Sequence, residues 1–213
     1  MITVHGRKTS SNVQALLWGL EEMGLAYERI DRGGRFGGLD APDYLALNPH
    51  GRIPTVEVGG QALWETGAIL RYFAGQCGES GFWPAEGLAR ARVDMWADWA
   101  KNEVALLFTR PVFWQAVRVP EARRDPVALQ AAVTAFEAQL AKAEARLAVQ
   151  AHLAGEDFSL ADVMLGHVLY RYFDIEIARA EMPALRAYAG RLAERPAYRK
   201  TVMVSYDILR NTL

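Results

Sequence analysis

An α/β unit followed by an all-helical unit is the fold class that this sequence predicts. Three observations carry it. Strand-type and helix-type apolar spacing alternate up to residue 78. The stretch Glu79-Ser80-Gly81-Phe82-Trp83-Pro84 then interrupts both. Beyond it every apolar pattern steps at helical spacing. The division is therefore residues 1–78 for the α/β unit, 79–86 for a linker and 87–213 for the helical unit.

Ile2 to His5 alternate as a strand does. Gly6 to Asn12 is polar and turn-like, with Ser11 or Asn12 the natural N-cap of a helix through Val13, Leu16, Leu17, Leu20 and Met23, stopped by Gly24. A second strand is expected at Ala26 to Ile30. Gly33, Gly34, Gly37 and Gly38 break any regular element, and a short helix is expected from Pro42 to Leu47. Asn48-Pro49-His50-Gly51 is a turn leading to an Ile53-Pro54 corner, a plausible cis site. Thr55 to Val58 and Ala62 to Trp64 flank Gly59-Gly60, a hairpin signal. A helix follows from Thr66 to about Gly75. Parallel strands first and a hairpin last is the order of a thioredoxin-like domain.

In the second unit Leu88, Met95, Trp99 and Leu106 mark one face of a long helix that should end before Pro111. Asp125-Pro126 starts another, with Leu129, Val133, Phe136, Leu140, Ala143 and Leu147 inward over about six turns. Ser159 and Asp162 form a capping box. The helix behind them, through Leu165, Val168, Leu169 and Phe173, is apolar nearly all round and should be the buried centre of the unit. A last helix, with Leu185, Tyr188 and Leu192 inward, stops at Arg195-Pro196.

The 213 residues hold 24 Lys and Arg against 25 Asp and Glu, a net charge of −1. That balance offers no basic field for nucleic acid. No apolar run is long enough to span a membrane, and the start lacks the apolar core of a secretory signal. Cys77 is the single cysteine, which excludes internal disulfides and fits a reducing cytosol. As a thiol after Gly75 it reads as a small filler. His5, His50, His152 and His167 are scattered without metal-ligand spacing, so no metal is expected, and His167 reads as a core residue.

Glu65 and Thr66 fall where a strand hands over to a helix. The unpaired amides there attract a carboxylate, unless Thr66 serves only as a cap. The corner and this helix start together resemble the glutathione-binding signature of the soluble glutathione transferases: an Asn-Pro turn, a Val- or Ile-Pro corner, then Glu-Ser/Thr before an Ala-Ile helix. The resemblance covers nearly the whole chain. It implies that Ile53 pairs its backbone with the cysteinyl unit of glutathione and that Pro54, in cis, holds that edge open. Thr66 and its amide would take the γ-glutamyl carboxylate, Glu65 the ammonium, and Arg52 the glycyl carboxylate.

Thr9-Ser10-Ser11-Asn12-Val13 resembles the Thr-Ser-x-Asn-Val motif of bacterial members related to the theta and nu classes. On that match Ser10 donates to the glutathione thiolate and Asn12 is a second donor; Ser11 takes over if the loop shifts by one residue, and Thr9 is third. A thiol of pKa near 8.5 must be lowered by about two units, roughly 2.7 kcal/mol. A charge-assisted hydrogen bond contributes about 1.5–3 kcal/mol and a helix start about 0.3–1. One hydroxyl and the helix terminus suffice. Gly67 and Gln14 depart from the family pattern, which commonly has a polar residue and a lysine or arginine there.

The resemblance implies a cytoplasmic, homodimeric enzyme of detoxification with glutathione as co-substrate and a hydrophobic electrophile as partner. Phe108, Arg110 and Trp114 would line the electrophile pocket, with Trp99 and Tyr172 as further wall candidates. Two alternatives stand beside conjugation: a glutathione-dependent disulfide or peroxide reductase of nu-like type, and a non-catalytic module with the same fold.

Overall fold

The computed structural model describes residues 1–77 and 81–213. The first unit runs β1 (Thr3–His5), α1 (Ser11–Glu22), β2 (Glu28–Ile30), a 3-10 turn (Gly34–Phe36), α2 (Pro42–Leu47), β3 (Thr55–Val58), β4 (Gln61–Trp64) and α3 (Thr66–Gln76). Its sheet has the order β2-β1-β3-β4. β1 is parallel to β2 and antiparallel to β3, and β3 pairs antiparallel with β4 from Thr55–Trp64 to Val58–Gln61. This is the expected thioredoxin-like arrangement. Val4 and Val56 of the sheet are buried with Val13, Leu16 and Leu20 of α1 and Ile69 and Leu70 of α3. Cys77 caps α3 and is exposed, so it fills nothing.

Gly78, Glu79 and Ser80, where the first unit was expected to end and the linker to begin, lie outside the described residues. From Gly81 the chain is turn-like until α4 (Gly87–Trp99), which Glu86 caps by accepting from the N–H groups of Leu88 and Ala89.

α4 departs from its expected course in two ways. Leu88, Met95 and Leu106 are 63, 68 and 64% exposed. The buried face is Val93, Ala97, Ala100 and Val104, small side chains that let the helix lie close against α7. Nor does the helix end before Pro111. It continues as π-helical turns (Ala100–Ala105), a single α-turn, α5 (Leu106–Phe108), and further π-helical turns (Thr109–Arg118). Wider turns relieve the clash between a proline ring and the carbonyl of the preceding turn.

α6 (Pro126–Leu147) begins at its Asp125 cap and buries the expected Val133, Phe136, Leu140, Ala143 and Leu147. α7 (Leu160–Asp174) is the buried centre, as its composition required. Asp162, fully buried, accepts from the Ser159 N–H at 2.8 Å, the Leu153 N–H at 2.9 Å and the Tyr188 hydroxyl at 2.7 Å. α8 (Pro183–Glu194) turns Leu185, Tyr188 and Leu192 inward, and a short α9 (Pro196–Thr201) follows. The units meet where α7 crosses α1: a Cβ on Gly166 would stand 2.8 Å from the Trp18 ring, so only glycine permits this approach.

Candidate active site

The site grows from the turn between β1 and α1. Backbone bonds from Gly6 to Ile30 and from Arg7 to Arg32 tie that turn to the end of β2. Ser10, not Ser11 or Asn12, is the N-cap residue, with φ −82° and ψ 126°. Its side chain makes no capping hydrogen bond, so its hydroxyl is left for other work. Ser10, Ser11 and Asn12 line a cleft of about 490 Å³ between the two units. Thr9 and Arg52 line it from the same side, and Arg110 and Trp114 from the other.

The Ile53-Pro54 bond is cis. The corner is held from beneath: the Asn48 side-chain amide donates to the Arg52 carbonyl at 2.9 Å and to the Thr55 hydroxyl at 3.0 Å, and the Tyr44 hydroxyl donates to the same carbonyl at 2.6 Å. Asn48 and Tyr44 are buried, so the corner is rigidly seated beside the turn. A Cβ on Gly6 would lie 3.3 Å from the Ile53 side chain, which shows how closely the corner and the turn abut.

Glu65 is the N-cap of α3 and has φ 69°, a conformation that a residue with a side chain occupies at a cost. Thr66 is the first helical residue and is buried. Its hydroxyl donates to the Asn12 carbonyl at 3.3 Å, joining the two motifs across 54 positions. Gln14 is fully buried and donates to the Lys8 carbonyl at 3.1 Å.

Not every expected wall residue reaches the cleft. Phe108 is 2% exposed, with its ring 5.1 Å from that of Phe136 and 6.0 Å from that of Phe113. The outward turn of Leu106 carries Phe108 into the core. Tyr172 is likewise buried and donates to Glu137, and the Trp99 indole donates to Gln139. His167 is a core residue; burial and Lys101 hold its pKa down to about 3, so it is neutral.

Four cations absent from the sequence reading complete the cleft: Arg7, Lys101, Arg118 and Arg171. Lys101, in the first π-helical turn, donates to Oδ1 of Asn12 at 2.8 Å. Burial lowers its pKa, and Glu65 opposes the shift. Arg171 projects from α7 and donates to the Thr9 carbonyl at 2.9 Å. No local motif announces these residues. The visible signal for Arg171 was a lone cation within an otherwise apolar helix.

Models of the glutathione S-transferase N-terminal domain and of the glutathione S-transferase C-terminal domain match residues 2–75 and 107–196. The chain belongs to the glutathione S-transferase family. It is 35% identical over 206 residues to glutathione S-transferase GstB of Escherichia coli (strain K12), covering 96% of this chain and 99% of that protein. To glutathione S-transferase 3 of Zea mays it is 34% identical over 214 residues, covering 94% and 93%. Among solved structures it is similar to the theta class glutathione S-transferase of the citrus canker pathogen Xanthomonas axonopodis pv. citri with glutathione bound. The TM-score is 0.91, the identity 45%, and the coverage 96% and 98%. These relationships make the chain an enzyme, a glutathione S-transferase. Among the described residues no group of three or more His, Cys, Asp or Glu is placed to hold a metal ion, and no helix is long and apolar enough to cross a membrane.

Proposed function

We propose that this glutathione S-transferase binds glutathione along the Ile53-Pro54 corner and the start of α3, ionises its thiol beside Ser10, and joins the sulfur to an electrophilic carbon. The observation that carries the reading is the Ser10 hydroxyl, free of capping duty at the start of α1 and on the cleft. Asn12 is the second donor and Ser11 the neighbour available if the tripeptide sits one residue along. Ile53 pairs with the cysteinyl backbone, as an added strand does. Thr66 and Glu65 receive the γ-glutamyl end, and Arg52 the glycyl carboxylate.

Ionisation releases the thiol proton to water. The thiolate lone pair forms the C–S bond while the leaving group departs with the electrons of its own bond to carbon. Where the electrophile is an activated alkene, no group leaves: the π pair of the double bond moves onto the activating group as the C–S bond forms, and a proton is then taken up from water. Arg110, over the Trp114 ring at 4.9 Å, forms the rim of the acceptor side.

The protein is expected to be cytoplasmic and a homodimer. Leu88 and Met95, seven positions apart and both exposed, give α4 an outward apolar stripe that a second copy would cover.

Ser10→Ala tests the reading. The pKa of bound glutathione, followed by thiolate absorbance, should rise by about one unit or more with little change in affinity. An unchanged titration moves the role to Ser11 or Asn12. Parallel assays with a chloro-aromatic and a mixed disulfide separate conjugation from reduction; faster turnover of the disulfide overturns the conjugation reading.

A further inference from the structure

The cleft is more cationic than a neutral electrophile requires. Arg7, Arg52, Lys101, Arg110, Arg118 and Arg171 all line it, and among the described residues no Asp or Glu does. Lys101 is occupied by Asn12 and has Glu65 in its field. Arg52 is assigned above to the tripeptide. The remaining inner cations, Arg7, Arg118 and Arg171, take part in none of the ion pairs among the described residues.

Arg171 is the decisive member. It is 3% exposed, and its guanidinium lies 4.6 Å from the Phe113 ring. One Nη donates to the Thr9 carbonyl, while Nε is buried without a hydrogen-bond partner among the described residues. Arg7 reaches the same residue from the other side: its Nη1 donates to the Thr9 hydroxyl at 3.3 Å, and its Nε too is buried and unpartnered. Arg118 donates to Thr212 and stands over the Trp114 ring at 4.5 Å.

Burial lowers the pKa of all three, and a neighbouring guanidinium adds to it for two: Arg171 falls to about 10 through burial and Arg7, Arg7 is lowered through burial and Arg118, and Arg118 is lowered through burial alone. Arg171, at about 10, stays charged at neutral pH. Buried like charges with idle donors oppose folding unless a counter-charge arrives. Guanidinium groups receive carboxylates in a planar, paired geometry. The cluster adjoins Thr9, next to the hydroxyl assigned to the thiolate.

We propose that the electrophile accepted by this enzyme carries an anionic group, a carboxylate or its equivalent, which Arg7, Arg118 and Arg171 receive while its reactive carbon faces Ser10. This rests on the reading above that the tripeptide occupies the Ile53 side of the cleft. A neutral apolar electrophile would leave the cluster unneutralised; an acidic one completes it.

The test uses a chloro-dinitrobenzoate and the neutral chloro-dinitrobenzene of the same substitution pattern. Each kcat/KM is divided by the uncatalysed rate of that compound with glutathione, and glutathione binding is measured separately by calorimetry. The acidic acceptor should be favoured by about tenfold or more. Arg171→Met should reduce that preference about tenfold. Arg118→Gln, nearer the surface, should reduce it in the same direction and serves if Arg171→Met does not fold. The dissociation constants of the two corresponding S-aryl glutathione conjugates should show the same preference without turnover.

If glutathione binds and the two acceptors are used equally, or the preference survives both variants, the proposal is overturned. If the variants lose glutathione affinity and keep the acceptor ratio, the cluster serves the tripeptide, and the proposal is again overturned. No binding of glutathione to the wild type overturns the parent reading and this inference with it.

Discussion

The Lys101 ammonium donates to Oδ1 of Asn12 at 2.8 Å, across 89 positions of sequence and across the join between the two units. An asparagine amide has one acceptor end and one donor end. With the acceptor end engaged by Lys101, the NH₂ group is turned to donate. The helical unit thus sets the orientation of a residue in the thioredoxin-like unit.

Lys101→Met should therefore raise the pKa of bound glutathione by about one unit, through loss of a nearby positive charge and of the amide's orientation. The unliganded protein should melt at or above the wild-type temperature. A lysine whose pKa is lowered by burial is disfavoured in its charged form, so at neutral pH it costs stability that the apolar replacement recovers. Thiolate titration and thermal unfolding of the same sample check both halves.

Thr66→Val removes the hydroxyl that joins α3 to the Asn12 carbonyl. Loss of one such bond, worth about 1 kcal/mol, should weaken glutathione binding about fivefold. Turnover at saturating glutathione should stay within about twofold. A fall in turnover with binding intact would place Thr66 in the chemical step.

Asp162→Ala should destabilise the fold by about 3 kcal/mol or more, because the Ser159 and Leu153 N–H groups and the Tyr188 hydroxyl lose their acceptor in a dry interior. Ser159→Ala should cost only about 1 kcal/mol. Denaturant midpoints of the two variants rank them; equal losses would mean that Asp162 acts only as a cap.

His167 gives a pH signature. Its pKa is about 3 in the folded protein against an ordinary 6.5, so the unfolded chain binds the extra proton between those values. Its contribution is present above pH 6.5 and is lost as the pH falls towards 3, about 2 kcal/mol of it by pH 5. His167→Gln should make stability at pH 5 closer to that at pH 7.5 than it is in the wild type. Urea unfolding at the two values measures this.

Local chemistry made much of the fold legible. The Gly59-Gly60 hairpin, the Asp125-Pro126 start of α6 and the inward faces of α6 and α8 depend on neighbours a few residues away, and all stand where the pattern puts them. The inward face of α4 is not declared by its pattern, because an apolar stripe has the same spacing whether it faces the core or points outward. Alanines, which carried the real contact, register weakly in such a pattern. The passage through Pro111 depends on a change of helix pitch that no residue type declares.

Of the expected residues, Ser10, Ser11, Asn12 and Arg52 line the cleft, while Ile53 abuts the turn at Gly6 and Thr66 bonds to the Asn12 carbonyl; each belongs to a short motif with its own geometry. Lys101 and Arg171 were illegible for the opposite reason. Their roles arise from where two separately patterned units touch, and only tertiary packing reveals that Asn12 and Thr9 are their partners.

Glu65 holds a backbone conformation that glycine tolerates at no cost. If Glu65 receives the γ-glutamyl end as proposed, a descendant that abandoned the tripeptide would keep the carboxylate only for its field at Lys101, and drift to glycine would relax the bend. The residue found at this one position is thus a marker of whether such a descendant still earns its living from that ligand.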